Sequence, residues 1–186
     1  SGNDCWGYVS PSGREYALMG TSSGTAFVEI TDPGNPVIID IKSGPNSLWR
    51  DIKTYQHFAY AVSEGGGGIQ VFDMGNIDNG VVSQLNSAGS SNTHNVAIDT
   101  TSGFLYRTGG AGSGLLIYDL SNPATPTQVG SWTDIYVHDA QIVTYTDGPY
   151  AGRQIAFCCG GYSGGWGNPG LTIVDVTNKS NTFVVG

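Results

Sequence analysis

Three features of the 186-residue sequence predict an all-β fold made of four repeated units. A short apolar run closed by a carboxylate occurs four times, at residues 26–30, 69–74, 115–120 and 171–176. The closing acids Glu29, Asp73, Asp119 and Asp175 follow one another at steps of 44, 46 and 56 residues. The remaining apolar runs are also short and lack helical spacing, and Gly, Pro, Asn and Ser separate them, as is typical of strands joined by turns. Glycine is abundant, at 29 of 186 residues, which suits many tight turns.

A repeat of this length predicts four-stranded antiparallel sheets that pack face to face as the blades of a β-propeller. We expect a single propeller domain over residues 1–186, with blades at approximately 4–46, 47–91, 92–136 and 137–186. The third strand of each unit is apolar almost throughout, which predicts a strand covered on both faces. The four blades either close a small ring or belong to a larger one. A β-sandwich is the second choice because it has no such sequence period.

The charge balance and the length of the apolar runs argue against two classes of partner. The formal net charge is −8 and the chain has only seven Lys and Arg residues. A protein without a basic patch has little to bind a phosphate backbone with, so nucleic acid is not expected as a partner. No apolar run approaches the roughly 20 residues of a membrane helix, so membrane insertion is not expected either.

The three cysteines allow two interpretations. Cys5 pairs with Cys158 or Cys159 in an oxidising compartment, or all three are free thiols. No CxxC motif is present, which excludes a zinc ribbon.

The beginnings of the predicted first strands bring polar residues into corresponding places. They read Asp4-Cys5-Trp6, Trp49-Arg50-Asp51, Thr93-His94-Asn95 and Val137-His138-Asp139. In this comparison Trp49 corresponds to His94, at a step of 45, and His94 corresponds to His138, at a step of 44. Because the first strand of each blade lines the central channel, we expect a binding site there. Its candidate residues are Asp4, Arg50, Asp51, His94, Asn95, His138 and Asp139.

Several chemistries fit this set. Two imidazoles and a carboxylate, from His94, His138 and Asp139, would bind a transition metal, whereas carboxylates and carbonyls would bind calcium. The two histidines could instead act as acid–base groups toward a substrate. The structural interpretation is that these side chains cap strand ends and hydrogen-bond to one another. The cofactor is therefore either none or a divalent cation.

Two further groups of residues have simpler interpretations. The closing acids each follow a buried strand on a separate blade, so we expect them to fix the next turn through their side chains. Tyr162 and Trp166 lie in a glycine-rich loop of the fourth unit and form either a glycan or partner contact or a cover over the blade edge.

The sequence resembles the LVIVD-repeat propellers, and in particular the choice-of-anchor B family of secreted or surface-attached proteins. The matching words are NDCWGY at 3–8, REYAL at 14–18, LWRDIK at 48–53, THN at 93–95, YVHDAQ at 136–141, GRQI at 152–155 and LTIVDV at 171–176. Members are longer than this chain and have a further His-containing blade after the fourth. The resemblance implies an extracellular β-propeller and says little about activity.

Together these features predict a non-enzymatic extracellular or cell-surface propeller that mediates binding or assembly, with or without a structural metal ion. Its expected partners are a protein or glycan surface or further copies of the chain. The alternative is a metal-dependent hydrolase or lyase whose site lies at the central channel.

Overall fold

The computed structural model describes residues 1–110, 114–161 and 170–186. Across these residues the fold is all-β, as the sequence predicts, with four antiparallel four-stranded sheets whose strands follow one another in chain order. This order is that of a propeller blade, and the sheets are numbered blade 1 to blade 4 along the chain. Two single-turn 3-10 helices, Ile77–Asn79 and Gly148–Tyr150, are the helical segments of the described residues.

The strands have the following bounds. Blade 1 consists of β1 Gly2–Val9, β2 Glu15–Thr21, β3 Gly24–Glu29 and β4 Val37–Ser43. Blade 2 consists of β5 Arg50–Tyr55, β6 Phe58–Ser63, β7 Gln70–Asp73 and β8 Ser83–Gln84. Blade 3 consists of β9 Asn95–Asp99, β10 Phe104–Thr108, β11 Leu115–Asp119 and β12 Thr127–Trp132. Blade 4 consists of β13 Asp139–Thr144, β14 Gln154–Cys159, β15 Leu171–Asp175 and β16 Phe183–Val184.

The chain divides into two compact units. The first comprises Ser1–Thr93 together with Pro123–Thr125 and contains blades 1 and 2. The second comprises His94–Asn122 and Pro126–Gly186 and contains blades 3 and 4. The organisation of residues 1–186 as a single propeller domain stays a prediction.

Each blade has two faces, because successive side chains of a strand point to opposite sides of the sheet. We call the face that carries the closing acid the leading face and the opposite face the trailing face. In blade 1 the second and third strands place Tyr16, Leu18 and Phe27 on the leading face, and Met19 and Val28 on the trailing face. The same register gives the leading and trailing residues of the other blades.

In each unit the leading face of one blade packs against the trailing face of the next. In the first unit Tyr16, Leu18 and Phe27 form one core with a set from blade 2 that includes Ala59, Ala61, Phe72 and Met74. In the second unit the leading face of blade 3 forms the corresponding core with the trailing face of blade 4. The buried members of that core include Tyr106, Leu115 and Ile117 from blade 3 and Ala156, Cys158, Val174 and Val176 from blade 4. Small residues in the second strand of the receiving blade leave room for the larger side chains that face it.

A buried polar network also joins the two blades of the second unit. Asp99, at the end of β9, accepts hydrogen bonds from Ser102 at 2.8 Å, from Thr144 and from Gln154. The Tyr106 hydroxyl donates to the Gln154 carbonyl oxygen. Burial would raise the pKa of Asp99, but these hydrogen bonds outweigh it and hold the pKa below its usual value. The network therefore keeps a charged carboxylate at the blade junction.

The turn role predicted for the closing acids is confirmed for the three aspartates. Asp73, Asp119 and Asp175 each accept the backbone N–H two residues later, at 2.8, 2.6 and 2.9 Å. Glu29 is longer by one methylene and instead pairs with Arg14, while also accepting the Thr31 hydroxyl at 3.1 Å. The shorter side chain is thus the one that closes the turn.

The prediction that every third strand is covered on both faces is wrong for blade 4. In β7 the side chains of Gln70, Val71 and Phe72 are all buried. In β15, by contrast, Leu171 is exposed and Ile173 is only half-buried. Both lie on the leading face of blade 4, which has no neighbouring blade within its unit.

Gly130 offers a test of the blade-on-blade packing in the second unit. A Cβ at this position in β12 would overlap the backbone carbonyl oxygen of Lys179 in blade 4. We therefore expect Gly130→Ala to lower the free energy of unfolding by about 1–3 kcal/mol, since the backbone cannot yield as a flexible side chain would. Gly7→Ala is the matched control, because a Cβ in that strand would meet nothing within 4 Å. Chemical denaturation compares the two, and an equally stable Gly130→Ala protein would contradict this packing.

Candidate functional site

The first strands of the blades lie at the edges of their sheets and approach one another within each unit. β1 lies against β5 in the first unit, and β9 lies against β13 in the second. The residues at the beginnings of these strands are therefore neighbours within a unit, as the predicted channel site requires. Asp4, Arg50 and Asp51 belong to the first unit, and His94, Asn95, His138 and Asp139 belong to the second.

Strand register corrects the sequence comparison by one residue. Asp51, Asn95 and Asp139 pair with Val62, Thr108 and Cys159, which hold the same place in their second strands. The residue equivalent to His94 and His138 is thus Arg50, at steps of 44 and 44, and the prediction of Trp49 for this place is wrong. In blade 1 Cys5 pairs with Met19 as Ile52 pairs with Ala61 in blade 2, so Asp4, which precedes Cys5, corresponds to Asp51.

Three carboxylates at this place share one local structure. Asp4, Asp51 and Asp139 each accept the N–H of the following residue, at 2.8, 2.7 and 2.8 Å. An edge strand presents N–H groups that no neighbouring strand satisfies, and these carboxylates satisfy one of them in each blade. These hydrogen bonds are those that the capping interpretation describes, and a binding role for the same carboxylates stays a prediction.

Arg50 is a buried connection between blades 1 and 2. Its side chain is 1% exposed. The guanidinium donates to the Gln70 carbonyl oxygen at 2.7 Å, to the Pro45 carbonyl at 2.7 Å and to the Thr21 carbonyl at 3.2 Å. Burial lowers its pKa. All three of these partners are neutral oxygens.

Lys53 is the cation that neutralises the carboxylates of the first unit. It pairs with the buried Asp51 and lies 3.5 Å from Asp4, with its Nζ 4.6 Å from the centroid of the Trp6 ring. The side chains of Asp4 and Asp51 share a hydrogen bond, which is the largest of the effects that hold the pKa of Asp4 below its usual value, and Lys53 lowers that pKa further. Lys53 lies two residues after Asp51 on the same face of β5, and this alternation was the sequence signal that could have found it.

The second unit brings the two predicted histidines together. The imidazole rings of His94 and His138 have centroids 4.2 Å apart and planes inclined at 54°. Both rings are half-buried. The backbone carbonyl of His138 accepts hydrogen bonds from the Asn95 amide at 3.2 Å and from the Thr108 hydroxyl at 3.0 Å, which fixes its position against blade 3.

Glycines make room beside each imidazole. A Cβ on Gly109 would lie 2.6 Å from the Cβ of His94, and one on Gly161 would lie 2.7 Å from the Cβ of His138. Both glycines have positive φ, of 66° and 79°, where a side chain would also strain the backbone. A residue larger than glycine at position 109 or 161 would therefore displace the neighbouring histidine.

The chemistry available to this pair is that of a two-imidazole ligand. Two nitrogens bound to one Zn²⁺ lie roughly 3.3 Å apart, given bonds of about 2.0 Å at a tetrahedral angle. Rings with centroids at 4.2 Å can meet that requirement by rotation. Within the described residues no group of three or more His, Cys, Asp or Glu side chains could hold a metal ion. The metal set of His94, His138 and Asp139 thus stays a prediction, and what the structure shows is that the two imidazoles lie next to each other.

The remaining candidate residues lie elsewhere. Tyr162 and Trp166 fall outside the described residues. All three cysteines are free thiols, with Cys158 buried and Cys5 and Cys159 exposed. Burial raises the pKa of the Cys158 thiol to about 12, which removes it as a nucleophile near neutral pH. His57 lies in the turn between β5 and β6, 3.7 Å from Asp73.

Comparison with known sequences supports the repeat assignment. A family model described as the LVIVD repeat matches residues 109–134 and 165–186. No curated protein matches the chain. The two matched segments contain β11 and β15, two of the four runs on which the repeat was recognised.

Comparison with solved structures supports the propeller fold. A putative 6-phosphogluconolactonase from Bacteroides uniformis superposes with a TM-score of 0.63 at 14% identity, over 96% of this chain and 52% of that one. Kuenenia stuttgartiensis hydrazine synthase superposes with a TM-score of 0.57 at 12% identity, over 95% of this chain and 47% of that one. Chaetomium thermophilum Raptor superposes with a TM-score of 0.60 at 11% identity, over 100% of this chain and 17% of that one. The chain thus spans about half or less of the proteins it matches, and at these identities the likeness concerns the fold alone. The chain is a repeat β-propeller.

Arg50 provides a test of whether this strand end is structural. Arg50→Met keeps most of the side-chain volume but leaves the carbonyls of Thr21 and Pro45 without their donor. We expect the free energy of unfolding to fall by about 3 kcal/mol or more, because several buried acceptors lose a charged partner. Lys42→Met is the control, since the Lys42–Asp40 pair is a partly exposed ion pair that contributes at most about 1 kcal/mol. Urea unfolding measures both, and an Arg50→Met protein as stable as the control would contradict the structural role.

Proposed function

We propose that the chain is a non-enzymatic extracellular or cell-surface propeller that mediates binding or assembly. The observation that carries this proposal is exposed apolar surface on the trailing face of blade 1 and on the leading face of blade 4. The residues concerned are Met19, Ile38 and Ile41 on the trailing face of blade 1, and Leu171, Ile173 and Val185 on the leading face of blade 4. Contiguous apolar surface of this kind marks interaction sites in folded proteins.

The polar groups at the strand ends favour binding over catalysis. The Arg50 guanidinium, the Asp51 carboxylate and the Asp139 carboxylate all take part in hydrogen bonds that hold the fold. A catalytic site needs an acid or base free to meet a substrate proton. The Cys158 thiol is buried, so a substrate cannot reach it as a nucleophile for covalent catalysis.

The resemblance to choice-of-anchor B proteins supports the extracellular location, together with the LVIVD repeat matches. Among the described residues no helix combines the length and apolarity needed to cross a bilayer. Protease treatment of intact cells of the source organism tests the location: loss of the protein is expected, and full protection would contradict it.

A second candidate function follows from the imidazole pair. His94 and His138 together would hold a divalent transition-metal ion, with water completing its coordination. Such an ion would fix blade 3 to blade 4 in the binding role. In the alternative role it would activate water in a metal-dependent hydrolase or lyase. The two roles share a ligand pair and differ in whether a substrate is turned over.

Three proteins separate these roles: the wild type, the double variant His94→Asn/His138→Asn, and His57→Asn as a matched control. With Zn²⁺ or Ni²⁺ we expect the melting midpoint of the wild type and the control to rise. At a hundredfold excess over Kd the gain is about 2.7 kcal/mol, or roughly 5–10 °C. The double variant should show no rise, because asparagine does not replace imidazole as a ligand.

The same proteins are then screened with ester, lactone, phosphate and glycoside substrates in the presence of the ion. The binding role predicts no turnover that depends on the two histidines. Turnover present in the wild type and in His57→Asn but absent from the double variant would overturn it in favour of the hydrolase or lyase. An equal rise in midpoint for all three proteins would remove the ion from this site.

A further inference from the structure

The turns that follow the third strands of blades 1, 3 and 4 share one local structure. Each begins three residues after the closing acid, at Asp32, Asn122 and Asn178. The side-chain oxygens of Asp32 and Asn178 accept the backbone N–H two residues later, at 3.0 and 3.1 Å. Their backbone carbonyls accept the N–H three residues later, also at 3.0 and 3.1 Å. The turns of blades 1 and 4 thus hold this residue by the same hydrogen bonds.

The residue at this place is exposed even where its blade packs on a following blade. Blades 1 and 3 each bury their leading faces against the next blade of their unit. Asp32 and Asn122 are nevertheless exposed, and so is Asn178. The exposure of Asn178 therefore follows from its place in the turn, and it does not depend on what lies against the leading face of blade 4.

The residues that follow Asn178 distinguish it from its equivalents. It is the one asparagine of the sequence that has Ser or Thr two residues later and a residue other than Pro in between, as Asn178-Lys179-Ser180. In the equivalent turn of blade 3 a Pro and an Ala follow the asparagine. Asn-x-Ser/Thr, with x other than Pro, is the acceptor sequence for N-glycosylation in secreted proteins. This acceptor sequence thus lies at a place that the fold exposes.

The hydrogen bonds of the turn leave the amide nitrogen of Asn178 free. Its Oδ1 accepts the Ser180 backbone N–H at 3.1 Å and the Ser180 hydroxyl at 2.9 Å, whereas its Nδ2 donates no hydrogen bond to the described residues. Lys179 anchors the turn instead. Its Nζ donates to the Val176 carbonyl at 2.7 Å and lies 4.2 Å from the ring centroid of Phe104 in blade 3. The turn is therefore held by its middle residue, and a bulky hydrophilic group on Nδ2 would extend into solvent.

We propose that Asn178 is a site of N-linked glycosylation, with an oligosaccharide carried on a lipid pyrophosphate as the donor. This rests on the extracellular location proposed above, because the acceptor sequence is used in secreted proteins. In the transfer the Asn178 Nδ2 forms a bond to the anomeric carbon of the first sugar and loses one proton. The bond between that carbon and the pyrophosphate oxygen breaks, and the lipid pyrophosphate leaves with the electron pair. Nothing is oxidised or reduced.

Mass spectrometry of the protein isolated from its source organism tests the proposal, with three variants produced in the same cells. Asn178→Gln removes the acceptor, and Ser180→Ala removes the hydroxyl of the acceptor sequence. Asn122→Gln is the matched control at the equivalent exposed place in blade 3. We expect the wild type and the control to exceed their polypeptide masses by the mass of an oligosaccharide, carried on the peptide that contains residue 178. Asn178→Gln and Ser180→Ala should lose this additional mass completely.

A fourth variant and a test of folding guard against an indirect loss. Ser180→Thr retains the acceptor sequence and should keep the additional mass, and circular dichroism shows whether each variant is folded. A wild type with the mass of its bare polypeptide would overturn the proposal. So would additional mass that survives in Asn178→Gln or in Ser180→Ala.

Protease treatment of intact cells separates this failure from a failure of the location. An unmodified protein that the protease removes contradicts only the glycosylation of Asn178. An unmodified protein that is fully protected contradicts the extracellular location on which the glycosylation rests.

Discussion

The packing of one blade's leading face on the next blade's trailing face is the interaction on which the other features depend. Its best-defined contact is between Phe27 of blade 1 and Phe72 of blade 2, whose ring centroids lie 5.4 Å apart in an edge-to-face arrangement. A four-stranded sheet cannot bury two apolar faces by itself, so each blade requires a neighbour. In both units large side chains on the leading face meet smaller ones in the second strand of the next blade, which are Ala59 and Ala61 in blade 2 and Ala156 and Cys158 in blade 4.

The same packing brings the polar strand ends together. Since the first strands lie at the inner edges of packed sheets, residues that are 44 positions apart become neighbours, as His94 and His138 do. The protein uses these ends in two ways. In the first unit Arg50 is buried and its hydrogen bonds connect the blades, whereas in the second the equivalent histidines are half-buried and face each other. One place in the repeat thus serves a structural purpose in one blade pair and presents ligand chemistry in the other.

Much of the fold could be predicted from the sequence because each repeat is recognisable from a short stretch of neighbouring residues. The apolar runs, their closing aspartates and the turns that follow depend on neighbouring residues, and Asp73, Asp119 and Asp175 behave as their local context predicts. The arrangement of the candidate site was harder to predict from the sequence, because it depends on residues that are not neighbours in the chain. The burial of Arg50 depends on hydrogen bonds to the carbonyl of Pro45 and to Gln70, which lies 20 residues further along the chain. The exposure of Leu171 depends on what lies beyond blade 4, which no local pattern contains.

A double-mutant cycle on Phe27 and Phe72 tests the face-to-face packing most directly. Phe27→Leu, Phe72→Leu and the double variant are unfolded in urea, and the coupling free energy is taken from the four stabilities. Aromatic pairs in this geometry are coupled by about 0.5–1.5 kcal/mol beyond their buried area. We expect a coupling in that range, because the two rings meet across the blade interface. Additive effects of the two substitutions would contradict it.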